Sequence, residues 1–189
     1  MTTKKKLIIA LILLCIVLVV AIAGTTVVFV ATSASAKTNV NVEFVANRVQ
    51  CTLRGSYTNN GTTTNLKKGT QTTLTFGPNV QNDSFDSTDI ISLEEDSPKV
   101  VFEYIFTNTD DEINMNVELL SAPDETNVKV GYAYSATQLD KNNITTTTNY
   151  EIQQVNAGQT KYLYIVVEVD DLMGYARYAG SIQWGLSRA

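Results

Sequence analysis

Between Val40 and Leu186 run after run of apolar residues recurs with a period of two, and no stretch in that span repeats with the period of a helix. Side chains of an extended strand point alternately to opposite faces, so this pattern commits the chain to β-structure with one buried face per strand. The strongest instance is Lys99 to Thr107, where Val100, Phe102, Tyr104 and Phe106 share one face. Val101 and Ile105 fall on the other face, the mark of a strand covered on both sides and central in its sheet. Weaker alternations are Val40-Val42-Phe44, Val49-Cys51-Leu53, Thr72-Leu74-Phe76 and Ile113-Met115-Val117-Leu119. Val128-Val130-Tyr132-Tyr134, Leu163-Ile165-Val167-Val169 and Tyr178-Gly180-Ile182-Trp184-Leu186 complete the set. On the far side of the Leu163 strand lie Tyr162, Tyr164 and Val166.

Turn chemistry separates these runs. Asn60-Gly61 tolerates the positive φ angles of a type I′ turn and predicts a hairpin between Tyr57 and Thr62. Gly77-Pro78, Asn108 to Glu112, Ala122 to Thr126, Asp140 to Asn143 and Asn156-Ala157-Gly158 are further stops, and Leu139 to Thr148 is polar and threonine-rich. About nine short strands spaced by turns read as an all-β fold, a single β-sandwich of jelly-roll or immunoglobulin-like type. The Cys-Trp-Cys arrangement of antibody domains is absent.

The sandwich is expected to occupy residues 37–189. Ahead of it, residues 1–36 contain an uncharged apolar run of 25 positions, Leu7 to Ala31, directly after Lys4-Lys5-Lys6. A helix of about 20 such residues crosses the ~30 Å hydrocarbon core of a bilayer, and the lysines hold that end in the cytoplasm. This N-terminal hydrophobic helix reads in two ways. As a signal peptide it offers small residues at Ala34-Ser35-Ala36, or earlier at Ala21-Ile22-Ala23, for cleavage. As an anchor it keeps residues 7–31 in the membrane. Either way the domain faces outward, secreted or single-pass and at the cell surface. Once the leader is gone, Thr38 to Ala46 becomes a free terminal strand.

Removing the leader leaves 11 basic against 19 acidic residues, about −8, which argues against nucleic acid as a partner. Without histidine there is no Ser-His-Asp or Cys-His pair and no imidazole metal ligand. No glycine-rich loop joins a strand to a helix. Glu103 and Glu118 could pair as glycosidase acids only across a cleft, and alternation puts both on solvent faces. No catalytic, cofactor-binding or metal site is therefore expected, and the protein reads as no enzyme.

Cys51 is the one thiol after the leader, so no internal disulfide forms there, and its strand neighbours predict a buried structural thiol. Asp83, Asp86 and Asp89, followed by Glu94-Glu95-Asp96, gather carboxylates that calcium could use, but without EF-hand spacing they read as solvated loop. Tyr132, Tyr134, Tyr162, Tyr164, Tyr175, Tyr178 and Trp184 read as sheet packing ahead of a sugar-stacking platform. Asn60, Asn82 and Asn143 head N-glycosylation patterns.

Several stretches carry a resemblance. Ala23-Gly24-Thr25-Thr26-Val27-Val28-Phe29-Val30-Ala31 resembles the Gly-Thr-x-Ala-Tyr-Phe segment of TasA/camelysin-type exported matrix-fibre proteins of Gram-positive bacteria, without their Tyr-Phe-Ser/Asn-Asp ending. Phe106-Thr107-Asn108-Thr109 before Ile113 to Leu119 is similar to the family's strand-turn-strand element. Ala157-Gly158-Gln159-Thr160 and Gly180-Ser181-Ile182-Gln183-Trp184 resemble its closing strands. The resemblance implies a jelly-roll subunit that polymerises by donating its N-terminal strand. The expected function is thus a non-enzymatic extracellular structural or adhesive protein. Its expected partners are copies of itself or another surface protein, and no cofactor. The alternative is a membrane-tethered binding domain for a carbohydrate or protein ligand.

Overall fold

The computed structural model describes residues 33–46, 49–77, 79–80, 82–86, 91–94, 98–121, 128–169 and 177–189. Residues 1–32, with the apolar run Leu7 to Ala31, lie outside the described residues, and among the described residues no helix is long and apolar enough to cross a membrane. The fold is all-β. Its strands are β1 (Ser33–Ala46), β2 (Cys51–Asn59), β3 (Thr62–Asn65), β4 (Thr73–Phe76), β5 (Asn82–Ser84) and β6 (Ile91–Glu94). There follow β7 (Lys99–Asn108), β8 (Met115–Ser121), β9 (Val128–Ser135), β10 (Gln153–Val155), β11 (Thr160–Val169) and β12 (Arg177–Arg188).

Two sheets result. The first, sheet A, runs β10-β8-β12-β1, with β5 and β6 sharing the far side of β1. Sheet B runs β2-β7-β11-β9, with β3 and β4 sharing the far side of β2. Every pairing is antiparallel except one: β1 lies parallel to β12, with Val40, Val42 and Phe44 opposite Ile182, Trp184 and Leu186. The Asn60-Gly61 hairpin forms as expected, with φ of 46° and 70° at its two central residues.

The sheets face each other across one apolar core, where alternation delivers the expected side chains. Val100, Phe102, Tyr104 and Phe106 are all fully buried, as are Ile182, Trp184 and Leu186 from the opposite sheet. Trp184 is the hub. Tyr104, Phe106 and Tyr150 meet its ring edge-on at centroid distances of 5.2, 5.4 and 5.7 Å. Such tilted contacts suit the ring quadrupoles and add to the area buried. Strand β7 is central, hydrogen-bonded to β2 and β11 along nearly its whole length.

Strand β1 begins at Ser33, so the β-structure reaches four residues upstream of Lys37. Its terminal strand is paired on both sides within this chain, to β12 and to β5 and β6.

Candidate functional site

The outer face of sheet B is where the described residues depart most from a plain sandwich. Between β9 and β10 the chain leaves the sheet and lies back over it as a strap, residues 136–150. Asp140 shapes its turn, its carboxylate accepting from the Asn142 amide at 3.0 Å and from Asn143 Nδ2 at 3.1 Å. The turn delivers Leu139 and Ile144 onto a second apolar cluster, Val101, Ala133 and Tyr164, flanked by Tyr162 and Val166. Further on, Thr147 exchanges backbone hydrogen bonds with Tyr132 at the outer edge of β9. Close contact there requires glycine, since a Cβ on Gly131 would sit 2.6 Å from the Thr146 Cβ. Tyr150 then re-enters the inner core and donates to the Val117 carbonyl at 2.9 Å.

Beneath the strap sits Glu103, expected at a solvent face and instead only 3% exposed. Alternation reports which face a residue is on, not what covers that face. Lys141 brings its ammonium to Glu103 Oε2 at 2.8 Å. Ser56 Oγ donates to the same oxygen at 3.3 Å, while Tyr164 Oη and Gln138 Nε2 donate to Oε1 at 3.1 Å each. Tyr164 Oη in turn accepts the Leu139 N–H at 2.8 Å. Burial, with the adjacent Glu103 charge, pushes the Tyr164 phenol up to about 12, against the lowering pull of that N–H. A buried carboxylate persists only when paired and hydrogen-bonded, and this one is.

The chemistry available here is limited. Lys141 Nζ also donates to Ser56 Oγ at 3.4 Å, which assembles a serine and a lysine as in Ser-Lys hydrolases. A general base, however, must offer its lone pair to the serine proton, and this amine gives its hydrogens to Glu103 and Ser56. Ser56 is itself 6% exposed. Glu118 cannot serve as a second acid, because it projects from the outer face of sheet A while Glu103 lies on the outer face of sheet B. An open cleft of about 370 Å³ adjoins the network, lined among others by Thr58, Asn60, Lys99, Lys141, Asn142 and Glu168. Glu168 is the one carboxylate among those lining residues.

The other singled-out residues fall into structural places. Cys51 is fully buried beside Val49 and Leu53, and burial raises its thiol from 9.0 to about 12. Asp83 pairs with Lys68, and Asp86 accepts the Gly69 N–H at 2.6 Å, so both tie β5 to the loop after β3. Asp89, Glu95 and Asp96 lie outside the described residues. Among the described residues no group of three or more acidic or cysteine side chains could hold a metal ion. Tyr132, Tyr164 and Trp184 are buried, Tyr162 flanks the outer cluster, and Tyr134 is 37% exposed with its hydroxyl on Glu151. Tyr175 lies outside the described residues. Asn60, Asn82 and Asn143 are exposed. Asn108, part of the family-like segment, is buried and structural, its amide donating to the Ile113 and Val155 carbonyls at 2.7 and 3.1 Å.

Lys141, Gln138 and the strap itself were missed from sequence. The one available signal was Leu139 and Ile144 flanking a polar turn.

No family model matches this chain, and no curated protein does. Among solved structures it is similar to the yeast delta-COP-I mu-homology domain, at 8% identity over 82% of this chain and 95% of that one, with a TM-score of 0.21. At that score the likeness bears on neither fold nor function.

Proposed function

We propose that the protein is a non-enzymatic, exported structural or adhesive subunit, secreted or held at the cell surface by residues 7–31, that assembles by strand donation. One observation carries this reading: β1 is the first described strand, yet it lies inside sheet A with partners on both sides. Because β12 runs parallel to it, no hairpin joins the two. Its link to the following strand is only residues 47–50. A strand that keeps its place through backbone hydrogen bonds on both sides, with no hairpin to β12, can be supplied by its own chain or by a neighbour. Exchange that does not close on itself produces a fibre.

The finer reading of the sandwich is jelly-roll-like. From β6 to β12 successive strands alternate between the two sheets. An immunoglobulin sandwich instead keeps neighbours such as its A and B strands in one sheet. The leader, Leu7 to Ala31, is read as a hydrophobic helix on its length and lack of charge.

The test compares chains beginning at Ser33 and at Arg48 by light scattering and negative-stain microscopy. Fibres from the longer chain alone are the expected result. Monomers from both at high concentration overturn strand donation. In that case the tethered binding domain becomes the better reading, and the polar cleft beside Lys141 is where its ligand would be sought.

A further inference from the structure

We infer that β9 is a strand-accepting edge whose fitting partner is the β9 of a second copy, and that the strap keeps this edge shut. The inference goes beyond strand donation, which concerns β1 in sheet A. It starts from what terminates each sheet. Among the described residues the outermost strands are β3, β4 and β9 in sheet B, and β5, β6 and β10 in sheet A. Five of these six are only three or four residues long and offer an incoming strand few hydrogen bonds. Strand β9 has eight residues, Val128 to Ser135, with Lys129 as their single charge. A long edge of β-branched and aromatic residues is the kind that must be covered if it is not to pair with another chain.

The strap supplies that cover at one point. The Tyr132 N–H donates to the Thr147 carbonyl and the Thr147 N–H to the Tyr132 carbonyl, at 2.8 Å each. Among the described residues this isolated bridge is the one backbone partner β9 has on its outer side. Pairing of β9 with β11 runs from Val128 to Ser135 without a register shift. Hydrogen-bonding groups of a strand alternate between its two edges, so Val130 and Tyr134 direct theirs the same way as Tyr132. A second β9 laid antiparallel about Tyr132 sets the two Tyr132 residues opposite each other, Val130 opposite Tyr134 and Lys129 opposite Ser135. Every outward residue then meets an outward residue, no two lysines face each other, and the aromatic and β-branched pairs are those that stabilise a sheet. Such a contact is isologous and closes as a two-fold dimer. Strap and second copy compete for the same Tyr132 N–H and carbonyl, so each state excludes the other.

The experiment uses the full chain carrying Lys129→Cys and Ser135→Cys together. Within one chain these positions lie at opposite ends of β9, too far apart to join. In the antiparallel pair they form a non-hydrogen-bonded site, where the side chains approach closely enough for a disulfide. The chain is oxidised with the strap intact and with Thr147→Pro, which removes the N–H given to the Tyr132 carbonyl. Gly131→Val, which displaces Thr146, lifts the strap by a second route. Amide exchange at Tyr132 reports the lifting, and protection of β7 reports that the fold persists. The expected result is a monomer with the strap intact and a shift to a dimer linked from 129 to 135 in the lifted variants. A folded, lifted variant without that link overturns the inference, and so does equal linking with the strap intact. Exchange of β1 in sheet A does not bring 129 to 135, so the outcome is read separately from fibre formation.

Discussion

On its inner face sheet B buries Leu53, Phe102, Phe106, Leu163 and Ile165 against the opposite sheet, all apolar and all delivered by alternation. On its outer face the same strands bury Ser56, Glu103 and Tyr164 beneath a strap, held by one ion pair and several hydrogen bonds. The inner face is stabilised by area removed from water, which is nondirectional and tolerant of repacking. The outer face depends on a charge pair whose desolvation cost offsets much of its attraction, so its value lies in geometry. One sheet therefore has a face that supplies stability and a face that specifies where a loop must lie.

Substitutions can break this contrast. Trp184→Ala, which empties the centre of the inner core, should cost ~3 to 5 kcal/mol in denaturant unfolding, as should Phe102→Ala. A loss under ~0.5 kcal/mol would put those rings outside the core.

On the outer face, Lys141→Met should cost ~2 to 3 kcal/mol, because it leaves the Glu103 carboxylate buried without its cation. Adding Glu103→Leu should recover most of that loss. If the double variant is as unstable as the single one, the pair contributes stability of its own and the contrast between the faces fails.

Gly131→Ala should cost ~1 to 2 kcal/mol by pushing Thr146 off β9, and amide exchange should rise at Thr147 while β7 stays protected. Equal loosening of β7 would mean that strap and core unfold as one unit.

The smallest effect is Cys51. Below the ordinary thiol value of 9.0, native and unfolded chains both keep the proton; between 9.0 and about 12 only the unfolded chain gives it up. Stability should thus be flat in this respect at neutral pH and fall as pH rises through that window. A Cys51→Ala variant should lose that part of the alkaline decline. In the unsubstituted protein the buried Cys51 thiol should resist alkylation at pH 8 until the chain is unfolded.

Periodicity made the inner face legible. Val100 to Phe106 and Leu163 to Val169 could be assigned to one core because burial on a strand has a period of two. The same signal misplaced Glu103, since a charge opposite a core face looks alike whether water or a strap covers it. Its partner Lys141 sits in a segment with no period at all, and only tertiary contact joins them across 38 positions, from 103 to 141. The short strands β5 and β10, three residues each, are below the length at which alternation can be recognised. The parallel partnership of β1 and β12 was illegible for a different reason: register between distant strands is decided by the finished sheet, not by either segment.

That partnership also sets a clock. Synthesis delivers β1 (Ser33–Ala46) long before β12 (Arg177–Arg188), so the middle of one sheet stays open until β12 has been made. Contacts between such distant segments are slow to form, because a long loop must close before any hydrogen bond repays it. Until then the edge of β8 away from β10 and the edge of β1 away from β5 and β6 remain unsatisfied, and an unsatisfied edge will accept an extended strand that reaches it. Closure of this sheet therefore waits on β12, which fills the gap between β1 and β8.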